Sequence, residues 1–155
     1  MIMVSSHRVV LDTNTIIGAG SRWLAEEPPH PVSMIQRLVY AVASSHVGLY
    51  CDGMLEEYVE VMCRKNHPED RIAKFVAFLI ALFTNITVTT TTCDAPPTDL
   101  DDIIFIFCAL DGDADLLVSD DRHLQNVREK YLPRPNIVRA LDACTHLKVE
   151  SETST

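Results

Sequence analysis

No apolar run in this chain is long enough to cross a bilayer, so no membrane span is expected. Nor does it open on a basic start and an extended apolar region: Met1-Ile2-Met3-Val4-Ser5-Ser6-His7-Arg8 lacks the form of a secretory signal, which points to the cytoplasm. The five cysteines, Cys51, Cys63, Cys93, Cys108 and Cys144, include no close pair, and four lie in apolar surroundings. They read as buried free thiols, not as a disulfide framework or a zinc site. The six histidines are equally dispersed, and Cys144-Thr145-His146 alone is too little to hold a metal. Glycine is scarce, with five, and neither stretch that contains it has the spacing or the following Lys-Ser of a phosphate-cradling loop. Positive charge is in deficit, 13 Lys and Arg against 22 Asp and Glu, for a formal net charge of -9. That argues against a general nucleic-acid binder, since such proteins usually show a basic excess that displaces counterions from phosphates. It does not exclude a nuclease, because acids gathered in one pocket lower the net charge while bound divalent cations reverse the local field. A basic protein partner is the other natural reading.

What is present is a globular balance: 155 residues, 47% hydrophobic and 23% charged, enough for one domain with a real core. We expect a single domain over residues 1–148 and a flexible C-terminal tail over 149–155. No internal repeat or linker interrupts it.

The chain opens on Arg8-Val9-Val10-Leu11-Asp12-Thr13-Asn14-Thr15, an apolar run that delivers one carboxylate and then small polar side chains. Such a run suits a buried parallel strand, and open α/β sheets bind ligands beyond the carboxyl ends of their strands. A lone Asp there also serves as a turn former or helix cap. Residues 16–31, with two Gly, three Pro and two Glu, predict a short helical turn and a loop. Val32, Ile35, Leu38, Val39, Val42 and Ala43 recur at helical spacing. Val47-Gly48-Leu49-Tyr50-Cys51 reads as a second buried strand, followed by a helix over 54–65 whose polar face carries Glu56, Glu57, Glu60 and Arg64. Asp70 is placed to cap a third helix, about 71–83, apolar almost all round and so expected in the core or at a homodimer interface. Residues 86–92, β-branched throughout, predict a strand.

After Ala95-Pro96-Pro97, Thr98 and Asp101 resemble a capping box, yet Ile103-Ile104-Phe105-Ile106-Phe107-Cys108 has strong strand propensity, and Asp111-Gly112 would suit a hairpin turn. The helix is favoured because Ala109 and Leu110 extend the run to eight apolar residues and Gly112 stands where a helix cap belongs. A helix also supplies the right-handed crossover to the next strand, Asp115-Leu116-Leu117-Val118-Ser119. Asp120-Asp121-Arg122-His123 ends that strand. A polar helix over 124–131, a strand at Ile137-Val138 and a helix over 141–147 complete the reading.

Four acidic features thus occupy equivalent places at the carboxyl side of a parallel sheet: Asp12, Glu56-Glu57, Asp101-Asp102 and Asp120-Asp121. Two carboxylates about 5 Å apart repel by roughly 3 kcal/mol at an effective dielectric near 20, so a cluster calls for a counter-charge. An all-oxygen set without Cys or His selects Mg²⁺ or Mn²⁺ over zinc, and such a site suits in-line hydrolysis of a phosphodiester.

These residues resemble the PIN domain family, and within it the prokaryotic branch of VapC-type toxins. The resemblance spans Val9 to about Val127 and rests on Val10-Leu11-Asp12-Thr13-Asn14, Leu55-Glu56-Glu57-Tyr58-Val59-Glu60-Val61, Asp101-Asp102 with Ala109, and Ala114-Asp115-Leu116-Leu117-Val118-Ser119-Asp120-Asp121. It implies a three-layer α/β/α sandwich around a parallel sheet. It also implies a metal-dependent endoribonuclease acting on RNA, the toxin of a toxin–antitoxin pair, with a protein antitoxin as partner and homodimerisation. The family's acidic quartet falls on Asp12, Glu57, Asp102 and Asp121, the Mg²⁺ or Mn²⁺ ligands, with Asn14 and Ser119 as polar helpers. Asp102 is preferred to Asp101 for its seven-residue spacing to Ala109, and Glu57 to Glu56 because it precedes Tyr58. Asp120 departs from the pattern, where relatives carry Gly, and adds a carboxylate. Arg122, His123, Arg64 and Lys65 are phosphate contacts by position, Arg122 and Lys65 foremost, although exposed charges near helix ends more often face solvent.

Other classes fit less well. A haloacid-dehalogenase-like phosphatase needs a second Asp where Asn14 stands, and a phosphorelay receiver needs a paired acid ahead of its phosphorylated Asp. A non-catalytic PIN-like scaffold that binds RNA or protein would not need the quartet.

Overall fold

The computed structural model describes residues 5–20, 22–93, 95–97 and 99–150. Five parallel strands form one sheet: β1 (Arg8–Leu11), β2 (Val47–Tyr50), β3 (Thr84–Asn85), β4 (Leu116–Val118) and β5 (Asn136–Val138), in the order β3-β2-β1-β4-β5. The apolar run at the start becomes the central strand. Val9, Val10 and Leu11 have no exposed surface and pair with β2 on one side and β4 on the other, Val10 lying between Leu49 and Leu117.

Eight helices connect and cover the strands among the described residues: α1 (Thr13–Gly18), α2 (Met34–Ser45), α3 (Asp52–Arg64), α4 (Glu69–Leu82), α5 (Ile103–Asp111), α6 (Arg122–Gln125), α7 (Arg128–Tyr131) and α8 (Ala140–His146). Helix α2 starts with a full capping box, Ser33 and Gln36 each satisfying the other's backbone. It packs on β2 and α8, while α5 packs on β1 and β4. Right-handed crossovers to either side of β1 put these two groups on opposite faces, a three-layer α/β/α sandwich. The connection after β1 runs toward β2 and the one after β4 runs toward β5. The direction of winding therefore reverses between β1 and β4, opening a crevice at their carboxyl ends.

The ambiguous apolar run is a helix. The α5 cap is Gly112, but the left-handed residue is Asp113 (φ 50°), and the Ala114 N–H closes the turn on the Ala109 carbonyl at 2.9 Å. The capping box expected at Thr98 lies outside the described residues.

Several expectations require correction. The strand expected over 86–92 is instead the two-residue β3, because pairing starts at Thr84 and β2 ends at Tyr50, after which Ile86 alone donates to the Tyr50 carbonyl at 2.7 Å. Past that point the Asp111 carboxylate holds Thr89 and Thr90 where a strand would have been. Helix α4, expected in the core or at an interface, turns Phe75 and Leu79 to the core and leaves Ile80 and Leu82 exposed. Its cap is Pro68, with Asp70 in the first turn. The polar helix over 124–131 divides into α6 and α7 at Asn126 and Val127. Three cysteines are buried, not four, since Cys93 is half-buried and Cys63 exposed. Val149, placed in the tail, packs on the core and donates to the Cys144 carbonyl at 2.9 Å, and residues 151–155 lie outside the described residues.

Gly48 is required by close approach. A Cβ on Gly48 would stand 2.6 Å from two ring carbons of the buried Phe83. The Gly48→Ala protein is expected to lose about 1–3 kcal/mol of stability, the cost of overpacking a tight core. Urea unfolding at unchanged m-value measures it.

Candidate active site

Three residues joined by hydrogen bonds, Asp12, Ser119 and Asp121, line the crevice between β1 and β4. Asp12 leaves β1 with its backbone N–H still bonded to the Val118 carbonyl at 3.0 Å, and its side chain turns to cap α1. Oδ1 accepts the Thr15 N–H at 2.8 Å, and Oδ2 accepts the Ser119 hydroxyl. Ser119, without exposed surface at the end of β4, in turn accepts the Asp121 N–H on Oγ at 3.0 Å. The Asp121 carboxylate then caps α6 through the His123 N–H at 2.7 Å. One hydroxyl therefore fixes both strand-end acids, each of which also sits at the positive end of a helix.

Two other elements bring acids to this point. Helix α3 presents Glu57 toward the crevice and leaves Glu56 exposed. Tyr58, next along, is buried and its hydroxyl donates to the Leu11 carbonyl at 2.5 Å, tying α3 to the last residue of β1. Asp102 ends a 3-10 turn, Leu100–Asp102, in front of α5, and its Oδ2 is buried without a partner.

Electrostatics shows that these groups share one field. Burial raises the Asp12 carboxyl above the ordinary range, against the lowering effect of its Ser119 and Thr15 hydrogen bonds. Burial also raises Glu57, with Asp101, Glu60 and Asp12 adding repulsion. Thr13 lies beside Glu57 and offsets part of this, yet its buried hydroxyl reaches no hydrogen-bond geometry. Asp102 is pushed up to about 7, first by burial and then by Asp121, Asp99, Glu57 and Asp12. The charges acting on Asp102 are four carboxylates.

The donor set fits a hard divalent cation: oxygen ligands only, mutual repulsion, and an unpartnered buried oxygen on Asp102. Among the described residues no three Asp, Glu, His or Cys side chains converge closely enough to grip one ion. Asp12, Glu57, Asp102 and Asp121 are the residues that would hold the cation.

The remaining candidates fall elsewhere. Asn14 is exposed on the first turn of α1. Asp120 spends Oδ1 on the Ala140 N–H at 3.0 Å, fastening the start of α8 instead of facing the cation ligands with that oxygen. Arg122 is exposed on α6, close in sequence to Asp121. Lys65 caps the far end of α3, eight residues and about 12 Å of helix beyond Glu57, so the fold does not bring it or Arg64 to the crevice. Tyr58, Thr13, Thr15 and Asp99 were not among the expected site residues. Only Tyr58 carried a signal, as a large polar-tipped residue on the apolar face of α3.

A raised carboxyl makes a signed prediction about the metal-free protein. The folded state holds the Asp102 proton more tightly than the unfolded chain does. That contribution is complete below the unfolded value near 4 and is lost as pH rises through about 7. His46 and His67, both lowered, act in the opposite direction, so the informative quantity is a difference. In chelator, the gain in Tm of Asp102→Asn over the parent should grow between pH 5 and pH 8, and Mg²⁺ should raise the parent's Tm at pH 8. A gain that stays flat or shrinks with pH contradicts the assignment.

Compared with protein families, residues 8–123 match the PIN domain. A search of the curated proteins finds no match to the chain.

Proposed function

The chain belongs to the PIN domain family, whose members are typically metal-dependent nucleases, and on that premise we propose that it is a divalent-metal-dependent endoribonuclease. The observation that carries this reading is the setting of Asp102, whose buried Oδ2 has no hydrogen-bond partner and whose carboxyl is raised by burial and then by Asp121 at the end of β4, Asp99, Glu57 of α3 and Asp12 at the end of β1. A structural role would leave that repulsion as cost alone. A divalent cation, when bound, supplies charge for the phosphoryl oxygens and lowers the pKa of attacking water. The protein's own part is positional. Ser119 and Thr15 hold Asp12 in one orientation, and the α6 turn does the same for Asp121, so neither acid needs to reorganise as charge develops. A carboxylate of the crevice that is not engaged with the cation would accept the proton that attacking water gives up, while the P–O bond to the leaving ribose oxygen breaks and that oxygen takes up a proton from solvent.

Within this proposal the chain is the toxin of a VapC-like toxin–antitoxin pair. A cationic segment of an antitoxin is the chemistry that an acidic crevice in a protein of net charge -9 accepts. The exposed Ile80 and Leu82 of α4 are the apolar surface on which two copies would associate.

The test compares purified protein with Asp12→Asn on structured RNAs, in Mg²⁺ or Mn²⁺ and in chelator. Cleavage should require metal and fall on the order of 100-fold in the variant. Equal activity in the two proteins, or activity that survives chelation, would overturn the reading. RNA binding without cleavage by the parent would favour the scaffold instead. A small basic protein encoded immediately alongside supports the toxin role.

A further inference from the structure

Beside the crevice, along the outer edge of the sheet, lies a cleft of about 570 Å³ that the acidic site does not use. It is lined by Gln125 of α6, Arg128 of α7, Arg139 at the end of β5, and Asp142, Thr145 and His146 of α8. In a chain with 13 basic and 22 acidic residues, two arginines and a histidine against one aspartate is a local reversal of charge.

The cleft is joined to the site by hydrogen bonds. Gln125 Nε2 donates to the Ser119 carbonyl at 2.9 Å, and Arg139 Nη1 donates to the Asp120 carbonyl at 3.3 Å. The residues that line it therefore grip the turn that carries Asp121. Each arginine keeps donors in reserve. Arg128 Nε bonds Asn136 Oδ1 at 3.3 Å, which leaves the paired terminal nitrogens of the fork, and Arg139 uses one nitrogen on Asp120. The sheet edge adds a backbone donor. The Asn136 N–H and Val138 carbonyl face β4, so by alternation the backbone of Ile137 faces outward, onto the cleft.

We propose that this cleft binds the sugar–phosphate backbone of single-stranded RNA next to the scissile bond, with Arg128 and Arg139 as its phosphate contacts. The inference rests on the ribonuclease reading of the adjoining crevice. Guanidinium forks match phosphate oxygens bidentately, and the amide of Gln125 and hydroxyl of Thr145 are suited to ribose hydroxyls. An enzyme whose reacting centre is acidic needs its anionic substrate held from outside that centre. This cleft is an adjoining surface with the charge to do so.

Binding of a labelled 12-nucleotide single-stranded RNA is measured by fluorescence anisotropy over a range of salt. The protein is the full chain carrying Asp12→Asn to suppress cleavage. Arg128→Gln and Arg139→Gln should each weaken binding about 5–10-fold and reduce the salt slope by about 0.7, the value of one phosphate contact on a single strand. Arg128→Lys should restore most of the slope, which a packing role would not. Lys74→Gln, on the exposed face of α4, should change neither quantity. Two results overturn the inference while the ribonuclease reading stands, provided the wild-type chain cleaves RNA. One is unaltered RNA binding by both arginine variants, and the other is an equal loss in Lys74→Gln. A cleft whose arginines matter only for an acidic protein partner also overturns it. Wild-type protein that neither binds nor cleaves RNA overturns both.

Discussion

The hydroxyl of Ser119 stands between two carboxylates at the point where the sheet reverses its winding, donating to Asp12 and accepting from the backbone of Asp121. It is buried completely, so each of its bonds is made without competition from water, and neither can be lost without leaving a buried polar group unsatisfied. Its own backbone is pinned to β5 through the Val138 carbonyl, and that of Asp12 to β4 through Val118. Three adjacent strands thus meet in one small polar assembly. Tyr58 adds α3 to it through the last carbonyl of β1, which also sets where Glu57 stands.

Collecting acids in this way runs against folding. Burial already raises Asp12, Glu57 and Asp102, and the repulsion among them adds to it. The fold meets part of the cost locally, by placing Asp12 and Asp121 at helix N-termini with backbone N–H groups to accept from. Asp102 has no such support on its buried oxygen, and its carboxyl is pushed up to about 7.

The extra acid of the chain, Asp120, joins this arrangement to the next one. Its carboxylate fastens α8 and its carbonyl receives Arg139, so the turn after β4 belongs at once to the acidic crevice and to the arginine-lined cleft. Opposite charges lie on the two sides of a single turn. A phosphate backbone crossing it would meet cationic side chains before it meets the acids.

Much of this was legible in order along the chain. The sheet's buried strands announced themselves as short apolar runs, and α5 was identified by the length of its apolar run and its Gly112 cap. Asp12, Glu57, Asp102 and Asp121 were nominated as one group, and the structure brings them into one field. What failed was local propensity without context. The threonines after Ile86 have the chemistry of a strand but find no strand left to pair with. Lys65 looked available by its charge, although the direction of α3 carries it away from the crevice. The sequence by itself determined the strand-end acids and the all-oxygen character of the site, because carboxylates at the ends of apolar runs fall on one side of any parallel sheet. Only the tertiary structure decided that Ser119 would couple two of them, that Tyr58 would aim a third, and that Arg128 and Arg139 would line one cleft. Those relations join residues from different strands and helices, and only the order of strands in the sheet puts them side by side.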